Sequence, residues 1–113
     1  MLSSEALLTV LEKAQRKMFD QNGEPVVKGW NKRILYYFTD VNEYWLVKVV
    51  VGKPEPPAQQ PGNLDEVDVR LTMSTDTFAG VVNGEIPGLQ AFTTGKVRVK
   101  ASLSDLSKLQ TFI

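Results

Sequence analysis

The side chains that could do acid–base chemistry are two groups of carboxylates. Asp65, Glu66 and Asp68 follow a run of prolines, and Asp40 and Glu43 flank a short polar connection. A carboxylate works as a general acid or base only where its surroundings shift its pKa. Both groups fall in predicted loops or on outward strand positions. We therefore expect them on the solvated surface and assign no catalytic residue.

Missing residue types exclude most other chemistry. The 113-residue chain has no His and no Cys, so it has no imidazole base, thiolate nucleophile or cysteine zinc site. A carboxylate cluster is the remaining route to a hard cation, and we predict neither a metal site nor a cofactor. The 13 basic and 13 acidic residues balance to zero net charge, which argues against a nucleic-acid partner.

A row of cations lies along one predicted strand. Lys96, Arg98 and Lys100 alternate with Val97 and Val99, so the three cations share one face. Such a row could bind an anionic lipid headgroup or a coenzyme A phosphate. The simpler interpretation, which we favour, is an exposed strand face kept soluble by its charge.

Periodic apolar residues predict the elements that must position these side chains. In chain order we predict a helix capped by Ser3 or Ser4, strands over 33–39 and 44–51, an extended loop over 53–66, a strand over 67–73, short helices after Ser74 and over 87–93, a strand over 96–101 and a last helix from about Ser102. The loop contains four of the six prolines, which remove ladder donors and fix φ.

This order of elements predicts an α+β fold over one domain, residues 1–113, with helices on one face of a mostly antiparallel sheet. No apolar run reaches the roughly 18 residues that cross a bilayer, and the N-terminus lacks the basic region of a secretory signal. We expect a cytoplasmic protein.

A series of motifs in the second half of the chain carries further information. The series is Leu-Thr-Met-Ser at 71–74, Asp76, Phe78, Gly84-Glu85, Pro87, Gln-Ala-Phe at 90–92, Gly-Lys-Val-Arg-Val at 95–99 and Leu-Ser-Lys-Leu-Gln at 106–110. In its order and spacing this series resembles the sterol carrier protein type 2 family. Upstream, Trp45 to Val49 is similar to the Trp-bearing strand of that family.

The resemblance implies a sheet of about five strands packed on helices, with an apolar tunnel between them. Members of the family bind sterols, fatty acids, fatty acyl-CoA or phospholipids, and the domain itself performs no catalysis. We therefore expect lipid binding and intracellular transfer without enzymatic activity. Residues 54–61 depart from the family pattern, because prolines stand where a third strand is usual. This strand is either distorted at a sheet edge or replaced by a loop.

The candidate ligand contacts are the residues that periodicity predicts to face the interior, chosen together with the architecture that the resemblance implies. They are Trp45, Val47, Val49, Met73, Phe78, Val82, Leu89, Phe92, Leu103, Leu106 and Phe112. The last helix is the expected gate, since a terminal element is held from one side only. In residues 34–38 the sequence does not decide which alternate side chains face inward. Either Tyr36 or Tyr37 could therefore offer a hydroxyl to a lipid headgroup.

Two other functions fit the same residues. The first is an interaction or dimerisation domain whose cavity is filled by side chains. Its contact surface would be the proline-rich segment, and it could form a homodimer. The second is an accessory subunit that presents acyl-CoA to a separate enzyme, in which the cation row Lys96, Arg98 and Lys100 holds the headgroup. A carrier would also make transient contact with a membrane surface.

Overall fold

Four helices and six strands make up the computed structural model, which describes residues 1–110. In chain order they are α1 (Ser4–Arg16), β1 (Lys32–Phe38), β2 (Glu43–Val50), β3 (Lys53–Pro54), β4 (Ala58–Gln60), β5 (Val69–Met73), α2 (Thr75–Val82), α3 (Gly88–Thr93), β6 (Arg98–Lys100) and α4 (Leu103–Leu109). The predicted α+β class is confirmed.

The strands form one mixed sheet in the order β3-β2-β1-β5-β6, with β4 also paired to β2. The β1–β2, β2–β3, β2–β4 and β5–β6 pairs are antiparallel, whereas β1 and β5 run parallel. Parallel neighbours need a long crossover connection. Residues 39–68, which include β2 and the proline-rich segment, supply it between β1 and β5.

The proline-rich segment forms two short edge strands, so the sheet has six strands where we expected about five. Pro54 lies opposite Val49, and Ala58 lies opposite Leu46. Pro56 and Pro57 stand between the two pieces and have no N–H to donate, which interrupts the ladder. Of the two expected alternatives, the structure therefore has the distorted edge strand.

Serine side chains begin three of the four helices. The Ser3 hydroxyl accepts a hydrogen bond from the Ala6 N–H at 3.2 Å, and the Ser74 hydroxyl accepts one from the Thr77 N–H at 3.2 Å. Ser102 caps α4 in the same way. Each cap satisfies an N–H that the first helical turn leaves unpaired, so these predicted helix starts are confirmed.

The main core lies on the sheet face that the helices cover. It joins Leu7 and Leu11 of α1 and Phe78 of α2 to Ile34 and Phe38 of β1. The register carries this face across the sheet, because residues paired between neighbouring strands point to the same side. Inward positions of β2 and β5 complete the core with Trp45, Val47, Val49, Val69, Leu71 and Met73.

The opposite face of the sheet is partly covered by the chain after the proline-rich segment. Leu35 and Leu46 are buried there, outside the main core. Arg70 donates hydrogen bonds to the Asn63 side chain and to the Leu64 carbonyl, and Arg33 donates to the Glu66 carbonyl at 2.7 Å. The two arginines hold the 63–66 segment against the sheet and account for the mixed polarity of this face.

The turn after β2 corrects one sequence expectation. The strand predicted over 44–51 includes Val51, but β2 ends at Val50 and the Val51 side chain is exposed. Val51 and Gly52 have φ values of 53° and 78°. Two successive left-handed residues reverse the chain and end the strand's alternation.

Candidate functional site

An apolar cavity of about 350 Å³ lies between the inner face of the sheet and the helices. Its walls come from α1 and the residues after it, from four strands and from the other three helices. The lining residues are Ala14, Gln15, Lys17, Met18, Tyr36, Val47, Leu71, Met73, Phe78, Val81, Val82, Gly88, Leu89, Phe92, Val97, Val99, Leu106, Leu109 and Gln110. Most are aliphatic or aromatic, so the cavity favours an apolar occupant.

Strand alternation places the floor of the cavity. Tyr36 pairs with Leu71 of β5, and Leu71 pairs with Val99 of β6. Paired residues project to the same side, so these three side chains form one transverse row. Val47 of β2 joins the floor from the position opposite Ile34.

Most of the candidate ligand contacts line this cavity, and they come from five different elements. Those that line it are Val47, Met73, Phe78, Val82, Leu89, Phe92 and Leu106. Trp45 and Val49 are buried in the core but lie outside the lining. Phe112 lies outside the described residues.

The positions of Trp45, Val49 and Leu103 have physical reasons. The phase of a strand fixes which face a residue occupies, but not whether packed side chains or open space lie above it. Trp45 and Val49 therefore share the expected face and still belong to the packed core. Leu103 begins α4 and its side chain is 86% exposed. The apolar side of α4 that faces the cavity starts only at Leu106, so the expected inward position of Leu103 is wrong.

The ambiguity between the two neighbouring tyrosines is resolved. Tyr36 lines the cavity, whereas Tyr37 lies on the opposite face, where it stacks on Tyr44 and donates a hydrogen bond to the Asn42 side chain at 3.0 Å. A signal for this was available in the sequence. With a short hairpin connection, Tyr36 pairs with Trp45, so an inward tryptophan implies an inward Tyr36.

The cation row lies on the face of the sheet opposite the cavity. Val97 and Val99 line the cavity, so the alternating Lys96, Arg98 and Lys100 point away from it. Lys96 and Arg98 instead border a separate polar pocket of about 320 Å³ whose other lining residues are Thr39, Thr72, Met73, Ser74 and Gly95. A headgroup role for the row stays a prediction, but the row does not border the apolar cavity.

The carboxylates at the hairpin hold structural hydrogen bonds. Asp40 accepts from the Thr75 N–H at 2.9 Å and from the Thr75 hydroxyl at 2.6 Å, which ties the end of β1 to α2. Burial acts to raise the pKa of Asp40, but the Thr75 hydrogen bonds outweigh it and the pKa is lowered. Glu43 accepts from Ser4 and from the Trp45 indole. These carboxylates therefore do not face the cavity as reactive groups.

A buried carboxylate anchors the start of α4, the helix expected to act as a gate. Asp105 is 3% exposed, accepts a hydrogen bond from the Trp30 indole at 3.1 Å and pairs with the Lys32 ammonium at 3.3 Å. The residues of α4 that line the cavity, Leu106 and Leu109, come after this anchor. The first turn of the helix is therefore held by Asp105, and the last turn is held by Leu109, which is buried in the core.

We expect the anchor to make stability depend on acidic pH. Burial acts to raise the pKa of Asp105, but the bonds from Trp30 and Lys32 outweigh it and lower the pKa. A lowered pKa in the folded state gives stability that is complete above the unfolded pKa of about 3.9 and is lost as pH falls through the folded value.

Chemical denaturation of wild type and Asp105→Asn between mildly acidic and strongly acidic pH checks this. The stability difference should be constant above about pH 5 and shrink below about pH 4. Asp65→Asn, at an exposed loop position, is the matched control and should track wild type. A difference for Asp105→Asn that is independent of pH would contradict the anchor.

Two further features bear on function. Within residues 1–110, no three acidic side chains gather in a way that could hold a metal ion. None of the helices in this part of the chain has the length and apolar character needed to cross a membrane.

The fold and the cavity together define a small α+β protein able to enclose an apolar ligand, and comparisons place it in a family. The sequence profile of the SCP-2 sterol transfer family matches residues 11–113. A comparison with curated protein sequences finds no match. The chain belongs to the SCP-2 sterol transfer family, which assigns it to lipid-binding and lipid-transfer proteins in general.

Solved structures share the fold at low sequence identity. Sterol carrier protein 2 like 2 from Aedes aegypti superposes with a TM-score of 0.68 at 18% identity, covering 96% of this chain and 97% of that one. Sterol carrier protein-2 like-3 from the same organism gives 0.59 at 12% identity, covering 89% and 90%.

A larger protein contains a similar fold. A double mutant of the sec-alkyl sulfatase PisA1, an enzyme from Pseudomonas sp., matches with a TM-score of 0.66 at 14% identity over 85% of this chain. The chain spans only 14% of the length of that sulfatase. This likeness concerns the fold of one part of the enzyme and carries no activity to the present chain.

Proposed function

We propose that this protein binds a single lipid chain in the apolar cavity and carries it through the cytoplasm between membranes or enzymes, without catalysis. The observation that carries the proposal is the cavity itself, an open space of about 350 Å³ with largely apolar walls inside a small domain. A protein of this size normally packs its interior with few voids larger than a water molecule. A cavity this large fits a role in holding a ligand.

The energetics of chain binding support this function. Removing a methylene from water contributes about 0.8 kcal/mol, so a chain of about sixteen carbons gains roughly 12 kcal/mol. Association and ordering cost about 4–15 kcal/mol. The balance allows micromolar binding, which is tight enough to shield a chain in water and weak enough to release it. Fatty acids and other lipids with one acyl chain are the proposed ligands.

Exchange with a membrane would take place at helix α3. Leu89 is 67% exposed and Phe92 is 39% exposed, and both also line the cavity. Large apolar side chains at a cavity rim lower the cost of placing that rim against lipid. We propose that this rim touches the membrane surface transiently while the chain passes through it.

The alternative functions have less support. An interaction domain with a filled cavity does not need the open space described above. Presentation of acyl-CoA with the headgroup held by Lys96, Arg98 and Lys100 would require the ligand to reach from the cavity to the opposite face of the sheet.

Native mass spectrometry of the purified protein, followed by lipid extraction and identification, tests the proposed function. We expect one lipid per protein, with a single acyl chain, or uptake of an added fluorescent fatty acid at one-to-one stoichiometry. A protein that arrives empty and takes up no fatty acid would overturn the proposal, and concentration-dependent dimerisation would then favour the interaction domain.

Replacing Phe92 by Asp should weaken lipid binding strongly. Phe92 lines the cavity at its rim, and an ionised carboxylate there must lose water when a lipid chain enters. We expect at least a tenfold rise in the dissociation constant, which is about 1.4 kcal/mol. Titration with a fluorescent fatty acid measures it.

Leu103→Asp is the matched control. It introduces the same charge at an apolar position of α4 that is exposed and outside the cavity lining. Its affinity should equal that of wild type. A folded Phe92→Asp variant that binds as wild type does would show that the ligand enters elsewhere.

A further inference from the structure

The tyrosine on the cavity floor is held rigidly. Tyr36 lies in β1, with β2 on one side and β5 on the other. Its ring stacks on Phe38 at a centroid distance of 5.9 Å and packs at a tilt against Phe78 at 5.3 Å. Strand pairing and ring contacts fix where its hydroxyl lies.

This hydroxyl has no hydrogen-bond partner among residues 1–110. Two other polar side chains of the lining are engaged, since the Gln15 amide donates to the Glu55 carbonyl at 2.6 Å and the Lys17 ammonium donates to the Val82 carbonyl. Burial raises the pKa of Tyr36 to about 12, so the hydroxyl is neutral and can both donate and accept.

An unpaired hydroxyl is costly beside a hydrocarbon occupant. A buried hydroxyl without a hydrogen bond loses its interactions with water and gains nothing in return. In the empty cavity, water can meet this need, but a bound chain displaces that water. A ligand with an oxygen at this position removes the penalty, whereas a ligand with only methylenes there does not.

We propose that the cavity selects lipids that carry a neutral oxygen, a hydroxyl or a carbonyl, within the part of the molecule held inside, and that Tyr36 is the residue that selects it. This inference rests on the proposed function. An ionised carboxylate is a poor match for the floor, because burial there would strip its water. Lys17, the one cation lining the cavity among the described residues, follows α1 and is exposed. A charged group therefore stays at the rim, in water.

A competition experiment with four lipids tests the inference. Protein stripped of lipid is mixed with octadecanoic acid, two mid-chain hydroxy derivatives of it, and octadecanol. The four lipids are present at equal concentrations and in excess over the protein. The bound lipids are then extracted and quantified by mass spectrometry. We expect wild type to enrich at least one of the three lipids that carry a hydroxyl about fivefold over octadecanoic acid, as one buried hydrogen bond allows. The hydroxy acids and octadecanol separate a mid-chain oxygen from a terminal one.

Tyr36→Phe keeps the ring and removes only the oxygen. In this variant the enrichment should fall to about one. Tyr37→Phe is the matched control, since Tyr37 lies on the opposite face of the sheet, and it should keep the wild-type ratio.

Three results would overturn the inference. They are a wild-type protein that enriches none of the three lipids that carry a hydroxyl, a Tyr36→Phe variant that keeps the wild-type ratio, and a Tyr37→Phe variant that loses it. A wild-type protein that takes up none of the four lipids would instead overturn the proposed function, and this inference with it.

Discussion

A Val99→Trp variant is expected to fold normally and to bind almost no lipid. Val99 is half-buried in the edge strand β6 and its side chain lines the cavity, so a larger side chain can extend into open space without displacing packed atoms. An indole there excludes about four methylenes of a bound chain. At about 0.8 kcal/mol each, their loss weakens binding by about 3 kcal/mol, or more than a hundredfold.

Titration with a fluorescent fatty acid measures the loss, and circular dichroism confirms the fold. Val50→Trp is the matched control, because Val50 is 49% exposed and lies outside the lining. It adds the same ring on β2, another strand of the same sheet, and should bind lipid as wild type does. Equal affinity in the two variants would mean that the cavity is not where lipid binds.

The largest expected effect on stability comes from Gly52→Ala. Gly52 has φ +78°, and a Cβ built there would lie 2.3 Å from the Val27 carbonyl oxygen and 2.8 Å from the Pro25 Cβ. The Gly52 N–H also donates to the Trp30 carbonyl at 2.8 Å. The left-handed conformation costs Ala about 1–2 kcal/mol and overpacking adds about 1–3 kcal/mol, so we expect a loss of about 3 kcal/mol or more.

Gly84→Ala separates the two causes. Gly84 has φ +79°, with open space where its Cβ would stand, so only the cost of the left-handed backbone applies, about 1 kcal/mol. Urea unfolding midpoints compare the variants. A Gly52→Ala variant no less stable than Gly84→Ala would show that the approach of the 25–27 segment to Gly52 is unimportant.

Local signals in the sequence were sufficient for most elements. Ser74 and Ser102 precede helices that they cap, and the alternation of 67–73 gave a strand that the structure has at Val69–Met73. These signals act within a few residues, where propensity and hydrogen bonding decide the local conformation. The motif series from residue 71 onward supplied the arrangement that local signals cannot give.

The parts that could not be predicted depend on contacts between distant segments. Trp30 lies in an irregular connection with no periodicity, yet it is buried and bonds to Asp105. The edge strands in the proline-rich segment form because β2 offers unpaired groups there, which no pattern in residues 53–60 reveals. Some inward residues line the cavity, as Val47 does, and others belong to the packed core, as Trp45 does. Which of the two applies depends on which helix lies above the residue.

The parallel pairing of β1 with β5 has a consequence for when the protein can function during its synthesis. Ile34 meets Val69, and the cavity walls draw on residues from Ala14 to Gln110. Contacts between such distant segments form late, because a long loop must close first. A nascent chain that lacks β6 and α4 has an incomplete wall and an exposed apolar floor. Loading with lipid must therefore follow the synthesis and docking of α4, and until then the unfinished cavity is a surface that invites aggregation.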